Sequence, residues 1–431
     1  MRNSAWLVAV PATRMLVGFS IGVLVMRHLG PPAFGRLSGA LALLALVAPV
    51  ADLGLTTFLR TELLARRELT EKLLATIFWL RAGATFVSTL AAMVMAMRED
   101  SGTWPLVLAA SLILFTPIFL TPEQWFTNQL NSRVPAVAQI GAIIAAAVLR
   151  LVFVAIDASL VAFAACSSVE AAVVGIALFA ALRREVRVPW LSFDSSLVKP
   201  ALVSSLPLFF TVLAIAWQTR VDQLFLKRFA GDGELGLYAA AVRFSELAPI
   251  ALSAVSLSLF PRFSARHREN PANPVPYLRE MLDVLVLFAL LWAAFCTATA
   301  RFWLPWVLGP AYAGAAKLLA IHAWTSVFQA MGLARSTLWT LERRNHFTLA
   351  ATLVGCGITT ALNYFLIPQY GAVACAWLAL LGALLTNLLT SVIAPGGGAI
   401  LRAQIAALLG AREVWRRRAD FTTPEQPGPT A

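Results

Sequence analysis

Charge is scarce in this chain. Of its 431 residues, 13% are charged and 59% hydrophobic, and its mean hydropathy is +0.76. A soluble domain is about half apolar and about a quarter charged. Folding alone cannot hide so much apolar surface, which excludes a soluble globular protein. Cysteine is scarce too: Cys166, Cys296, Cys356 and Cys375 all lie in apolar segments without a CxxC pair and read as small core residues. The histidines His28, His267, His322 and His346 are scattered, so no metal and no cofactor is expected. A cleavable leader is not expected either. The first apolar run, Trp6 to Met26, is too long for a signal peptide and contains Arg14, so it reads as a spanning helix.

The net charge is +12, but the basic residues stand singly between apolar runs. That pattern excludes a nucleic-acid stripe and matches the orientation signal of a membrane protein. A spanning helix needs roughly 20 apolar residues. About twelve such segments can be marked, six between Trp6 and Leu182 and six between Leu202 and Ile393. The expected class is therefore an all-α polytopic membrane protein. The seventh segment is placed at Leu202 to Trp217, the eighth at Gly236 to Phe260 and the tenth at Ala313 to Trp339. With the N-terminus inside, alternate connections carry 21 Lys and Arg against 7. The contrast predicts cytoplasmic N- and C-termini.

The two halves resemble each other. Phe34-Gly35-Arg36-Leu37-Ser38-Gly39-Ala40 is similar to Leu235-Gly236-Leu237-Tyr238-Ala239-Ala240-Ala241, with the glycines 201 residues apart. Arg133 and Asn345, 212 apart, lead into the fifth and eleventh helices. Repeats of six helices each are parallel, related about the membrane normal. The expected organisation is an N-terminal lobe over 1–190, a C-terminal lobe over 191–395 and a cytoplasmic tail over 396–431. The linker from Arg183 to Lys199 carries Val188-Pro189-Trp190-Leu191-Ser192-Phe193, an interfacial stretch. In the tail, an amphipathic stretch from Ile400 to Trp415 precedes Arg416-Arg417-Arg418. Its expected place is on the anionic inner leaflet, with the last dozen residues disordered.

Ionisable residues inside helices demand an explanation, since each costs roughly 2.5 to 3.5 kcal/mol at the bilayer centre. They are Arg14, Asp52, Arg81, Arg150, Glu170, Arg243, Glu246, Asp283 and Arg335, with Arg220 and Asp222 at the mouth of a helix. Arg14 lies too deep to snorkel and must face a cavity or an acidic partner, for which Asp52 is one option. Arg81, Arg150, Arg243 and Arg335 lie nearer helix ends and can reach headgroups. Glu170 is a proton site or a hydrogen-bonded structural acid. Arg243 and Glu246, three apart, can neutralise each other. Several arginines around one cavity suit a phosphate, which guanidinium grips in a bidentate way.

Four stretches carry a family resemblance: Leu29-Gly30-Pro31-Pro32-Ala33-Phe34-Gly35; Ala51-Asp52-Leu53-Gly54-Leu55; Arg220-Val221-Asp222 with Gly236-Leu237-Tyr238-Ala239-Ala240-Ala241 and Glu246; and Asn363 to Ala372. In order and spacing they resemble the polysaccharide biosynthesis exporters of O-antigen flippase type, in the multidrug/oligosaccharidyl-lipid/polysaccharide superfamily. The resemblance implies two six-helix lobes in a V. It also implies flipping of undecaprenyl-diphosphate-linked oligosaccharide across a bacterial inner membrane by alternating access. Arg14 takes the diphosphate-binding role first, then Arg81, Arg220 and Arg243. Asp52, Glu170, Asp222 and Glu246 are the coupling or ion-pair candidates. The implied partners are the lipid-linked substrate, membrane lipids and the polymerase machinery, with the protein acting as a monomer and not as an enzyme. Two departures stand out: the chain is short for the family, and lysine is nearly absent from its helices.

Two rival classes remain. A cation-coupled multidrug exporter would favour an acidic cavity, whereas five arginines face three acids here. A membrane polysaccharide polymerase or ligase needs a sizeable outer loop. The longest, about Gln218 to Leu235, is short and carries no catalytic carboxylate pair.

Overall fold

A computed structural model describes residues 2–410 except 187, 343, 345 and 395. Among these the chain is helical without strands. Eight continuous apolar spans are long enough to cross a membrane. Three are double, each broken at a glycine in the left-handed region: Gly30 (φ 69), Gly231 (φ 83) and Gly371 (φ 57). A side chain with a Cβ is penalised there, so glycine lets an almost continuous helix reverse. Dividing these spans gives eleven segments. Ala313–His322 and Thr325–Leu341, separated by two residues, form the twelfth. The expected twelve-helix, all-α architecture is therefore present.

The helices are α1 (2–29), α2 (31–65), α3 (Thr70–Met97), α4 (Thr103–Asn128), α5 (Arg133–Ala155), α6 (Leu160–Glu185), α7 (198–230), α8 (232–269), α9 (Val275–Leu308), α10 (313–341), α11 (347–370) and α12 (372–393), followed by a short α13 (Gly397–Leu409). One boundary differs from the sequence reading. α7 continues past Trp217 to Gly231, so Arg220 and Asp222 lie within a helix and the expected outer loop from Gln218 to Leu235 is a tight turn. Polar residues end an apolar window without ending a helix, and Gln, Arg and Lys are good helix formers.

The helices are built inside out. On α3, Arg81, Thr85, Ser88, Ala92 and Ala96 are buried, while Phe86, Leu90 and Val94 are exposed. Small and polar residues face the bundle because close backbone approach and hydrogen bonds hold helices together where lipid is as apolar as leucine. Leu43, Leu44 and Val47 of α2 pack with Ala92, Leu106, Val107, Phe163 and Ala164 of α3, α4 and α6 in this core.

The chain forms two compact units. The first comprises Met1–Ala239, Leu304–Ala313 and Leu366–Ala372; the second holds Ala240–Trp303, Gly314–Phe365 and the described residues from Val373 onwards. The turns at Gly30, 98–102, 156–159, Gly231, Gly309 and Gly371 all belong to the first unit. Two close approaches there mirror each other. A Cβ on Gly35 would fall on the carbonyl of Asp232, and one on Gly236 would fall on the carbonyl of Pro31. Both pairs map onto each other by a shift of 201 residues, the interval separating the similar sequence stretches.

The linker is tied down within the first unit. Trp79 Nε1 donates to the Trp190 carbonyl at 2.6 Å, and Trp190 packs on the rings of Phe78 and Phe179. α13 does not simply lie on a surface as the tail was expected to do. Gln404 is fully buried, accepts from Ser391 and donates to the Met331 carbonyl, which docks α13 on the second unit. Gln404 is the one polar side chain on that otherwise apolar or small buried face, and it is satisfied by these partners. The end of the amphipathic stretch, Arg416-Arg417-Arg418 and the last dozen residues lie outside the described residues, as does Asn345 of the second repeat pair.

Candidate functional site

Three charged side chains from three helices meet within the first unit. Arg14 Nη1 on α1 donates to Glu170 Oε1 on α6 at 2.8 Å, and Arg150 Nη2 on α5 lies 3.6 Å from Glu170 Oε2. One carboxylate between two guanidiniums leaves a positive charge in excess. The three differ in accessibility: the Arg14 side chain is 55% exposed and that of Glu170 18%, while Arg150 is 23% exposed. One turn on from Arg14, a Cβ on Gly18 would meet nothing within 4 Å. The height of Glu170 is set two residues earlier. Ser168 Oγ donates to the Ala109 carbonyl at 2.6 Å and accepts from Leu112 N at 3.2 Å, pinning α6 to an irregular turn of α4. The partner of Arg14 is thus Glu170 and not Asp52.

Arg81 has a different environment. It is 1% exposed and donates to Asp52 Oδ1 at 2.6 Å, Thr56 Oγ1 at 2.7 Å, and the Pro117 carbonyl and Thr121 Oγ1, both at 2.8 Å. These bonds join α2, α3 and α4. Asp52 sits just before a helix break, with Leu53 at φ 52 and Gly54 at φ 71. A Cβ on Gly54 would lie 2.8 Å from the Ser205 carbonyl, so the break is also where α7 passes closest. The Ala51-Asp52-Leu53-Gly54 stretch is therefore an anchor for Arg81 and a seat for α7. Arg335 is equally buried, bonded from Nη1 to the Asn387 carbonyl and stacked on Trp339. Neither arginine reaches headgroups, because internal acceptors are nearer than the bilayer surface.

The remaining sequence candidates fall in two places. In the first unit, buried Asp222 accepts from the Tyr238 hydroxyl and, at 2.8 Å, from the Gln223 N–H, with Arg220 half-buried two residues before it. In the second unit, Arg243 and Glu246 are exposed on α8, Glu246 at a local break between Ser245 and Leu247. Next to it, Ser245 Oγ lies 2.9 Å from His322 Nδ1 at the break in α10.

Sequence reasoning passed over one cluster at the Gly30 end of the first unit. Lys227 of α7, 5% exposed, lies 3.0 Å from Glu99 Oε2 and 3.7 Å from Asp100 Oδ2, and bonds Thr103 Oγ1. Arg36 Nε donates to Asp232 Oδ2 at 3.1 Å. The Ala372 N–H donates to Glu234 Oε2 at 3.2 Å, and the Tyr312 hydroxyl donates to the Met26 carbonyl at 2.9 Å. Partial burial acts to raise the Asp100 carboxyl, but bonds from Thr103 and Gly102 and the charges of Lys227 and Arg36 outweigh it and hold the group below its usual range. The signal for this clamp was the Glu99-Asp100 pair, two adjacent acids with no basic neighbour on the far side of the turn.

Taken together, twelve bent helices with buried arginine locks and a charged, accessible triad make a polytopic membrane protein whose fold is also that of solved transporters. Solved structures with that fold agree. The chain resembles the lipid II flippase MurJ in an inward closed conformation (TM-score 0.71, 12% identity, 98% of this chain and 94% of that one). It also resembles an inward-facing multidrug resistance MATE family transporter of the MOP superfamily (TM-score 0.67, 14% identity, 95% and 96%). A third is a MOP superfamily transporter from Pyrococcus furiosus, whose binding pocket has reversed polarity suggesting a different function (TM-score 0.61, 13% identity, 96% and 95%). At these identities the likeness concerns the fold. No curated protein matches the chain in sequence. The family model described as polysaccharide biosynthesis protein matches residues 1–267, and the chain belongs to that family.

Proposed function

We propose that this protein flips an undecaprenyl-diphosphate-linked oligosaccharide, a repeat unit of surface polysaccharide, across a bacterial inner membrane by alternating access. The observation that carries this reading is the Arg14–Glu170–Arg150 triad, whose most exposed member is the Arg14 guanidinium. A diphosphate offers two anionic groups that can displace Glu170 from Arg14 without leaving a bare charge in the membrane. Arg220 and Arg243 are further contacts for phosphate or acidic sugars. Arg81 joins them only if its lock to Asp52 opens. Glu170, Asp222 and Glu246 are the carboxylates through which a cation gradient would act, with Asp52 held by Arg81.

Family membership and the fold shared with a lipid II flippase support this reading. The lobes are 1–190 and 191–395, with both termini cytoplasmic by the Lys and Arg count. That orientation puts the Lys227 clamp at the outer face, where release requires it to part. The protein works as a monomer beside the polymerase machinery. The test is deletion of the gene, followed by sidedness of lipid-linked repeat units read with an enzyme that cannot cross the membrane. Units trapped on the cytoplasmic face with loss of surface polymer support flipping. Units that reach the outer face unpolymerised refute it in favour of a polymerase or ligase.

The fold shared with a multidrug resistance transporter favours a second reading, a cation-coupled small-molecule exporter. Unchanged glycans with cation-dependent drug efflux would establish it.

A further inference from the structure

Among the described residues Arg81 and Arg335 are the buried arginines, and they differ in their countercharge. Arg81 meets Asp52. Arg335, on α10 in the second unit, is 1% exposed and meets no acid. The described part of that unit has Glu246, Glu269, Glu280, Asp283 and Glu342 as its acids. Glu280 and Asp283 lie against Arg266 and Arg279, Glu342 lies 3.3 Å from Arg344, and Glu246 and Glu269 are exposed. A guanidinium taken out of water without a countercharge is among the costliest groups to bury.

Its donors are as poorly matched as its charge. Arg335 Nη1 bonds the Asn387 carbonyl, whereas Nε is buried without a partner. The guanidinium stacks on Trp339, its carbon 5.0 Å from the ring centroid, and such a contact offsets only part of the lost hydration. Trp339 is itself fully buried, and its indole Nε1 has no acceptor, although a buried indole N–H ordinarily finds one. Two orphaned N–H donors thus stand one turn apart on α10, beside a positive charge with no opposite.

The helix they face is distorted at this level. Leu385–Leu389 of α12 form a π-turn, a rare irregularity that concentrates at functional sites. Asn387 at its centre accepts from Arg335 and donates from Nδ2 to the Ala383 carbonyl at 2.8 Å. A Cβ on Gly332 of α10 would lie 1.7 Å from Asn387 Oδ1, and one on Gly355 of α11 would lie 2.9 Å from Thr386 Oγ1. Helices packed so closely around the π-turn exclude a phosphate or a sugar. A single small ion is what the donors can hold.

We infer that Arg335 and Trp339 hold a small monovalent anion of halide chemistry against the π-turn of α12, with Arg335 Nε and Trp339 Nε1 donating to it. One negative charge neutralises the one guanidinium, and both orphaned N–H groups gain an acceptor. The site belongs to the second unit, whereas the Arg14–Glu170–Arg150 triad belongs to the first. It does not depend on what the protein transports.

The test uses the full-length protein in detergent, with its melting temperature followed as sodium gluconate is exchanged for sodium chloride or bromide at constant ionic strength. A ligand that binds the folded state raises the melting temperature as its concentration passes Kd, so wild type should show a saturable rise. Arg335→Gln should abolish it. Trp339→Phe keeps an aromatic ring and removes one donor, and should move the midpoint about 10-fold higher, the smaller effect expected for a hydrogen bond to an ion. Arg14→Gln should leave the midpoint where it is. Absence of halide stabilisation in wild type, a rise that persists in Arg335→Gln, or an unmoved midpoint in Trp339→Phe would each overturn the assignment, and loss of the rise in Arg14→Gln would move the anion to the triad. The Trp339→Phe midpoint decides the matter even where Arg335→Gln does not fold.

Discussion

Replacing Arg14 by glutamine changes the triad in a way that can be calculated. Arg14 makes the 2.8 Å bond to Glu170, and Arg150 stands off at 3.6 Å. Without Arg14, Glu170 keeps Arg150 as its cation and the excess positive charge is gone, leaving a neutral pair, so the fold should hold. An incoming diphosphate loses its most accessible partner. A hydrogen bond to a charged group contributes about 1.5 to 3 kcal/mol, equivalent to about a 10- to 150-fold loss of flipping. Arg14→Lys should restore part of it, because an ammonium supplies the charge without the bidentate fork. Arg150→Gln should cost less than Arg14→Gln, since Arg150 is the less exposed. The assay is complementation of a deletion strain, scoring surface polymer and the sidedness of repeat units, normalised to protein in the membrane. Wild-type flipping by Arg14→Gln at equal abundance would refute the charge argument.

Arg81 should behave in the opposite way. Arg81→Gln leaves Asp52 without its cation and should destabilise the protein by about 3 to 5 kcal/mol, seen as a lowered melting temperature in detergent, whereas R81M/D52L should recover much of that loss; an unshifted melt in Arg81→Gln would dismiss the lock. Gly236→Ala places a methyl on the Pro31 carbonyl and should open the Gly30 end, read as faster thiol labelling of a cysteine at buried Val25, while Gly233→Ala, with nothing within 4 Å, should not. Lys227→Gln leaves Glu99 and Asp100 facing each other and should also speed that labelling; protection equal to wild type would remove the clamp's role. Acid should loosen the clamp late. Asp100 titrates below the ordinary aspartate value of 3.8, so its contribution is complete above that value and is lost only as pH falls through its own lower one. Labelling, divided at each pH by that of an exposed reference cysteine to remove the change in thiolate fraction, should therefore be flat from pH 7 to about 5, and a rise within that window would assign the clamp to another group.

Much of this protein is determined locally and so could be read from its sequence. The twelve apolar segments follow from the cost of exposing backbone and charge to lipid, and the 201-residue interval is visible as two similar stretches. The intramembrane charges also declare themselves, because each must be satisfied somewhere. What a linear sequence does not carry is which charge meets which. Arg81 and Arg150 look alike by depth, yet one is sealed against Asp52 and the other completes a triad with Glu170, a difference made by the way α4 and α6 pack. The end of α7 was misplaced because helix continuity depends on hydrogen bonding and not on hydropathy, and Asp222 and Lys227 find their partners on α8, on α4 and in the turn that joins α3 to α4. Lys227 looked like a loop residue until the fold brought the Glu99-Asp100 turn against it. The sequence determines that these charges are buried and must be paired; only the tertiary structure decides the pairing, because the partners lie on different helices whose packing sets every distance between them.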